Sequence, residues 1–416
     1  VMKTYLVGGA VRDSLLEINS KDKDWVVVGS NPDEMLKQGF TQVGQDFPVF
    51  LHPKTREEYA LARTERKNGQ GYQGFSFDTS KSITLEQDLI RRDLSINAMA
   101  MSADGELIDP YGGQDDLKNR LLRHVSPAFT EDPLRILRVA RFAARFYHLG
   151  FKIADETLDF MSKMVLKGEA NHLVPERIWQ ETERALSEKS PWIYFEALRK
   201  VGCLKVVFPE IDALFGIPQP EKYHPEIDCG IHALMSLEQA SQLSQSKQVR
   251  FAALTHDLGK ACTAPEKWPS HHGHERLGLE PIKKLCERNR VPNEYRDLAC
   301  LCSEYHTHIH KAFELRSETI LKVLKQCDAF RRPERFAEIL LCSKADSRGR
   351  TGFEKAQYQQ ADLFSRILHT LSLITTKEIV AEGYKGKEIG EQLDRLRKEK
   401  IKQIKSTYEG ENSPTS

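Results

Sequence analysis

Gly8-Gly9-Ala10-Val11-Arg12-Asp13, followed after eight residues by Asp22-Lys23-Asp24-Trp25-Val26-Val27-Val28, is the stretch that decides the fold. Tyr5-Leu6-Val7 reads as a short strand, Gly8-Gly9 lets the backbone approach a ligand closely, and Ala10 to Leu16 reads as a helix. A helix N-terminus with free N–H groups favours anions, and the Arg12 guanidinium adds a fork for phosphate, so Gly9 and Arg12 are candidate nucleotide-binding residues. Val26 to Val28 are β-branched and apolar, so the Asp-Lys-Asp step leads into or begins a buried strand. Side chains at i and i+2 of a strand share a face, which projects the carboxylates of Asp22 and Asp24 together. Two such charges repel unless a cation lies between them. Hard oxygen ligands suit Mg2+, which is held by one or two carboxylates plus substrate phosphates. A lone Gly-Gly is most often a turn and a lone Asp-x-Asp a solvated loop; their order and short spacing give them a joint meaning.

Composition narrows the partners. The chain has 416 residues, enough for two or three domains, and carries 61 Lys and Arg against 60 Asp and Glu. That balance gives no global field for nucleic acid, so an RNA partner needs a local basic face. No run of 18 apolar residues occurs, so no membrane span is expected, and Gly8-Gly9 and Arg12 interrupt any secretory leader. All eight cysteines follow residue 200 without framework spacing and read as free thiols of a reducing, cytoplasmic environment.

Residues 1 to about 125 alternate short β-type runs (Tyr5–Val7, Trp25–Val28, Phe47–Leu51, Glu58–Ala62, Glu106–Ile108) with helical ones, which predicts an α+β N-terminal head with a mixed β-sheet. The Lys67–Asp78 stretch, rich in Gly, Gln and Ser, reads as a mobile loop. From Glu131 onward a 3.6-residue period takes over and predicts an all-α remainder. Ile217-Pro-Gln-Pro-Glu-Lys-Tyr-His-Pro225 reads as a boundary, and nine of the fourteen histidines fall between His224 and His310. After Thr376 the chain is Lys-rich, with Ile389, Leu393 and Leu396 on one side of a helix, and its last eight residues read as disordered. The expected segments are 1–128 for the head, 129–222 for a helical neck and body, 223–350 for a histidine-rich helical domain and 351–416 for a helical tail.

Gly-Gly-Ala-Val-Arg-Asp before Asp-x-Asp resembles the nucleotidyltransferase head of class II tRNA nucleotidyltransferases and the related bacterial poly(A) polymerases. Arg91-Arg92-Asp93-Leu-Ser-Ile-Asn97-Ala98, Asp109-Pro-Tyr-Gly-Gly113, Glu131-Asp132-Pro-Leu-Arg135 and Pro175-Glu176-Arg177-Ile178 match further motifs of that family in order. The resemblance implies that Arg92 contacts the nucleotide's sugar-phosphate and that Asp132, Arg135, Arg138 and Arg141 line the nucleotide site. Thr130 reads as an N-cap, which leaves Asp132 a bland alternative as a first-turn acid and the arginines one as a solvated face. Neither explains why Arg135, Arg138, Arg141 and Arg145 share a helix with Leu134, Leu137, Val139 and Phe142. Cytosine and adenine present an amino donor beside a ring-nitrogen acceptor, and guanine and uracil the reverse. A carboxylate beside a guanidinium therefore pairs with C or A and rejects G and U. Asp93 reads as a structural partner of Arg91 or Arg92.

In the second half, His256-Asp257 lies in an apolar helical stretch, with His232 before it and Asp346 after. A buried carboxylate there needs a partner. This order resembles the HD phosphohydrolase superfamily, whose ligands bind a divalent metal that activates water. His256 and Asp257 are thus also catalytic candidates, with His274 and His306 candidates for an expanded or binuclear site. His224, His308 and His310 read as surface or satisfied core residues. The combined resemblance is to the gammaproteobacterial type with a C-terminal HD domain. It implies addition and repair of the tRNA 3′-terminal C, C and A from CTP and ATP with Mg2+. It further implies 2′,3′-cyclic phosphodiesterase, 2′-nucleotidase and phosphatase activity with Ni2+ or another transition metal, in a monomer or homodimer. A poly(A) polymerase, or an HD hydrolase with a degenerate RNA-binding head, is the alternative.

Overall fold

The computed structural model describes residues 2–44, 49–67, 75–78 and 80–412. They form two compact units, residues 1–207 and 208–416. The first is built on strands β1 (Lys3–Val7), β2 (Asp24–Val28), β3 (Thr41–Val43), β4 (Val49–Leu51) and β5 (Glu58–Leu61), then β6 (Thr64–Lys67), β7 (Phe75–Asp78), β8 (Ala100–Ser102) and β9 (Leu107–Ile108). Seven of them make one mixed sheet in the order β3-β4-β5-β2-β1-β8-β9, in which β2 and β5 run parallel and the other neighbours antiparallel. Alternation along β2 sends Val26 to a cluster with Val7, Leu89 and Ala100, and Val27 to another with Met35, Phe50 and Leu61. Both faces are therefore buried, which fits an unbroken Trp-Val-Val-Val run.

The pairing of β1 with β2 sets Val7 opposite Asp24. The glycine turn after β1 and the first residue of β2 thus meet at one end of the sheet. Gly8 takes φ 67° and ψ −130°, a conformation that side chains disfavour, and starts the Gly9–Leu15 helix. Asp22 lies in the irregular stretch before β2, so only Asp24 of the pair is a strand residue. The stretch expected to be a loop, Lys67–Asp78, contributes its ends to an antiparallel pair, β6 with β7. Its residues 68–74, like Phe47 and Pro48 of the expected Phe47–Leu51 strand, lie outside the described residues.

The helix after the sheet begins later than expected. Residues Pro127–Glu131 form a 3₁₀ turn capped by Ser126, and the α-helix spans Leu134–Phe146. Asp132 precedes a proline, which pushes it to extended geometry (φ −134°, ψ 113°) and ends the turn there. Its Oδ1 accepts the Leu134 amide at 3.0 Å, so Asp132, not Thr130, serves the start of this helix. The helix packs on Pro175–Leu186 and Pro191–Lys200. Eleven of its thirteen residues are buried, Arg135 and Arg141 among them at 7 % exposure, so these two are not part of a solvated face, whereas Arg138 and Arg145 are partly exposed.

The second unit is helical. Helices Cys229–Leu243, Lys247–Thr255, Asn293–His310 and Pro333–Arg348 pack on one another. The Pro-rich stretch does not divide the units: it lies inside the second, where the Pro218 carbonyl accepts from His271 Nε2 at 2.5 Å. The C-terminal helix continues through Glu411, burying Ile401 and Tyr408, so the disorder expected of the last eight residues does not extend to Glu409–Glu411. Residues 413–416 lie outside the described residues. No described helix is long and apolar enough to cross a membrane.

Candidate functional sites

A cavity of about 560 Å3 in the first unit gathers Gly8, Gly9, Asp24, Arg92, Asp132 and the arginines of the Leu134–Phe146 helix. The helix places Arg138, Arg141 and Arg145 along one side at i, i+3 and i+7. Phe142 and Phe146 are their platform: Arg141 lies over the Phe142 ring at 4.8 Å and Arg145 over Phe146 at 5.1 Å. This is why apolar and cationic residues alternate there. Arg12 also lines the cavity, but it is 3 % exposed and already engaged, donating to Asp13 at 3.0 Å and Asn97 at 2.6 Å between those two rings.

Arg91 and Arg92 both pair with buried Asp88 at 3.2 Å, so Asp93 is not their partner. Asp93 instead binds Arg138 at 2.8 Å and accepts from Asn97. Burial pushes its carboxyl up, but Arg138, Arg135 and these hydrogen bonds outweigh that and hold it well below the usual carboxylate range. The Arg92 Nε is buried without a hydrogen-bond partner among the described residues, and its Nη1 lies 3.3 Å from where a Cβ on Gly8 would stand. The glycine turn and this guanidinium therefore crowd one point, as a phosphate site requires.

Asp24 lines the cavity, and among the described residues neither it nor Asp22 makes a side-chain hydrogen bond or ion pair. Burial raises the Asp24 carboxyl and the charge of Asp22 adds to it, against Arg92. Two neighbouring carboxylates without a partner fit a hard divalent cation. Asp132 and Arg135 are not paired with each other. Arg135 donates to the carbonyls of Ala128 (2.7 Å) and Arg91, whereas Asp132 is held by Arg177 at 3.2 and 2.9 Å. Arg141 binds Glu181 at 2.6 Å.

In the second unit, His232, His256, Asp257 and Asp346 converge so closely that one ligand atom from each lies within 4.8 Å of the others, and Asp257, His274 and His306 do the same. All are buried. The Nδ1 atoms of the four histidines face backbone carbonyls of Gly349 (2.9 Å), Ala253 (2.6 Å), His271 (3.1 Å) and Ser303 (2.8 Å), so each Nδ1 carries the proton. Every Nε2 then turns inward. His256 Nε2 stands 3.1 Å from both Asp257 Oδ2 and Asp346 Oδ1, and His274 and His306 present Nε2 to each other at 3.3 Å. Such pairs need a proton or a metal ion between them. His256 Nε2 and Asp257 Oδ1 are buried without a hydrogen bond among the described residues, as open ligand positions would be. Burial opposes charge on His256, yet Asp257 and Asp346 hold its imidazole well above the ordinary range.

Several residues escaped the sequence reading. His310 Nε2 lies 2.6 Å from Asp346 and its Nδ1 2.6 Å from Tyr358 Oη, so it is not a bystander; its i+4 spacing from His306 was the available signal. His224 is packed against His232 with ring centroids 4.8 Å apart, and Glu226 reaches His232 Nδ1 at 3.2 Å. Lys260 lies 3.1 Å from Asp257. A cavity of about 810 Å3 opens on His224, Lys260, His274, His306 and His310. Among the described residues His308 makes no such contact.

Residues 4–123 match the family described as Poly A polymerase head domain, 150–215 the probable RNA and SrmB-binding site of polymerase A, and 230–333 the HD domain. The multifunctional CCA protein of Shewanella frigidimarina is 59% identical over 98% of this chain and 98% of its own length. That of Pseudoalteromonas atlantica is 60% identical over 95% and 98%. Among solved structures, an apo CCA-adding enzyme aligns with a TM-score of 0.65 at 22% identity, covering 97% of this chain and 88% of its own. The Thermotoga maritima CCA-adding enzyme complexed with tRNA aligns at 0.63 and 20%, covering 98% and 92%. At those identities the likeness is one of fold.

Proposed function

The chain belongs to the multifunctional CCA protein family, and from that premise we propose that it adds C, C and A to the 3′ end of tRNA from CTP and ATP. The observation that carries the reading is the cavity of the first unit, where a glycine turn, Asp24 and a helix of arginines meet. In the reaction the RNA 3′-oxygen bonds to the α-phosphorus, the bond to pyrophosphate breaks, and the hydroxyl proton is lost. Asp22 and Asp24 are the residues that would hold Mg2+, which supplies positive charge at the reacting phosphate and acidifies the attacking hydroxyl. Gly9 and Arg92 bind the nucleotide's phosphates and sugar. Arg138 and Arg141 neutralise the remaining charge and keep their forks oriented through Asp93 and Glu181. Asp132 accepts the amino group of cytosine or adenine, with Arg135 donating to the ring nitrogen after release from its carbonyls.

The second unit is read as a metal-dependent phosphohydrolase acting on 2′,3′-cyclic phosphates, 2′-phosphates and other phosphomonoesters. His232, His256, Asp257 and Asp346 would hold one ion, with His274 and His306 sharing Asp257 for a second. An imidazole-rich set suits nickel or another transition metal, which when bound supplies an activated water. Lys260 and His224 line the cavity where a phosphate would sit.

The deciding experiment is Asp24→Asn, assayed for CTP and ATP incorporation on tRNA lacking its 3′ end. Both incorporations should fall at least a thousandfold while tRNA binding is retained. Near wild-type C addition would refute the assignment.

A further inference from the structure

Arg177 has no part in the reaction as described, yet it makes the closest contact to the base-reading carboxylate. It stands on the Pro175–Leu186 helix and lines the same cavity as Asp132. Its two terminal nitrogens donate to Oδ1 and Oδ2 of Asp132 at 3.2 and 2.9 Å, and Oδ1 also accepts the Leu134 amide at 3.0 Å. A carboxylate offers about four acceptor positions, two on each oxygen. Three are filled, both on Oδ1 and one on Oδ2, and among the described residues no further donor reaches Asp132. One acceptor position therefore remains, on Oδ2.

We propose that Arg177 is the positioning residue for base selection: its two-pronged hold fixes the plane of the Asp132 carboxylate and leaves one acceptor, which admits an amino group and refuses a carbonyl. The inference rests on the base-reading role of Asp132 proposed above. Cytosine and adenine bring an N–H to that position. Uracil and guanine bring a carbonyl oxygen, lone pair against lone pair, with nothing to donate to it. Without Arg177 the carboxylate turns about its soft χ2 torsion, and water enters the vacated space. Such a water donates to a carbonyl as readily as it accepts from an amino group, so the discrimination is lost rather than the chemistry.

The test is single-nucleotide incorporation of all four NTPs onto a tRNA ending before CCA, with Arg177→Ala, Arg177→Lys and, as reference, Asp132→Asn. In Arg177→Ala the CTP-to-UTP ratio of kcat/KM should fall about ten- to hundredfold, with KM for CTP rising more than kcat falls. Arg177→Lys keeps the charge without the planar fork and should lose part of the ratio. Inhibition by inorganic tripolyphosphate should be unchanged, since the role concerns the base. Equal losses for all four nucleotides, with the ratio intact, would overturn the proposal and leave Arg177 a phosphate or scaffold residue. If Asp132→Asn also leaves the ratio intact, the base-reading role of Asp132 itself fails. If Asp132→Asn lowers the ratio and the Arg177 variants do not, only the role of Arg177 fails. Should Arg177→Ala not fold by circular dichroism, Arg177→Lys decides.

Discussion

At the scale of single residues, the first unit's cavity is ordered by buried ion pairs rather than by the helix alone. Asp93 is the clearest case, because it fixes Arg138 and receives Asn97, which in turn receives Arg12. Removing its charge strands a guanidinium, so Asp93→Asn should cost about 2 kcal/mol, discounted for the partial exposure of Arg138. The pH dependence has a definite sign. A carboxylate held below its unfolded value stabilises the fold fully above about pH 4 and loses that contribution as pH falls further. Urea unfolding of wild type and variant at pH 7 and pH 3 checks both points: the stability gap should narrow at the lower pH. A gap that stays constant would mean that the Asp93–Arg138 pair contributes little.

At the scale of elements, the decisive features are places where backbones meet closely. Gly259 follows the His-Asp pair, and a Cβ there would lie 1.9 Å from the His274 carbonyl and 2.6 Å from the Gly278 amide. Gly259→Ala should force the His274–Leu277 helix away from Asp257, costing about 1–3 kcal/mol and weakening metal binding, measured by thermal unfolding with and without added nickel. An unchanged midpoint and an unchanged nickel shift would contradict the packing. The glycine turn, the Val-Val-Val strand and the His-Asp pair carry strong local signals: Gly8, Gly9 and Asp24 line one cavity, from whose lining Asp22 is absent, and His256 and Asp257 gather with His232 and Asp346. The Thr130 cap was misread because Pro133 moves the helix start, and the Asp93 partner because Arg138 is 45 residues away. His224 reads from sequence as a surface or satisfied core residue and Glu226 carries no signal, since a Pro-rich stretch reads as a boundary until tertiary contacts fold it onto His232.

At the scale of the molecule, two candidate ligand sets of different chemistry lie in two units of one chain, carboxylates alone in the first and imidazoles with carboxylates in the second. His256→Ala should therefore abolish hydrolysis of 2′,3′-cyclic nucleotides and leave CTP incorporation within about twofold, whereas loss of both in a folded variant would contradict separate sites. The near-zero net charge also has a consequence: RNA must be held by local basic surface, so tRNA affinity should fall with added salt while the folded state persists. What defines the proposed activity is the identity and order of the added nucleotides. The most direct measurement gives the wild-type protein a tRNA ending before CCA with each NTP alone and with CTP and ATP together. Two C residues are expected with CTP, one further A when ATP joins it, and no addition from UTP or GTP. A lengthening adenosine tail from ATP alone would contradict that activity.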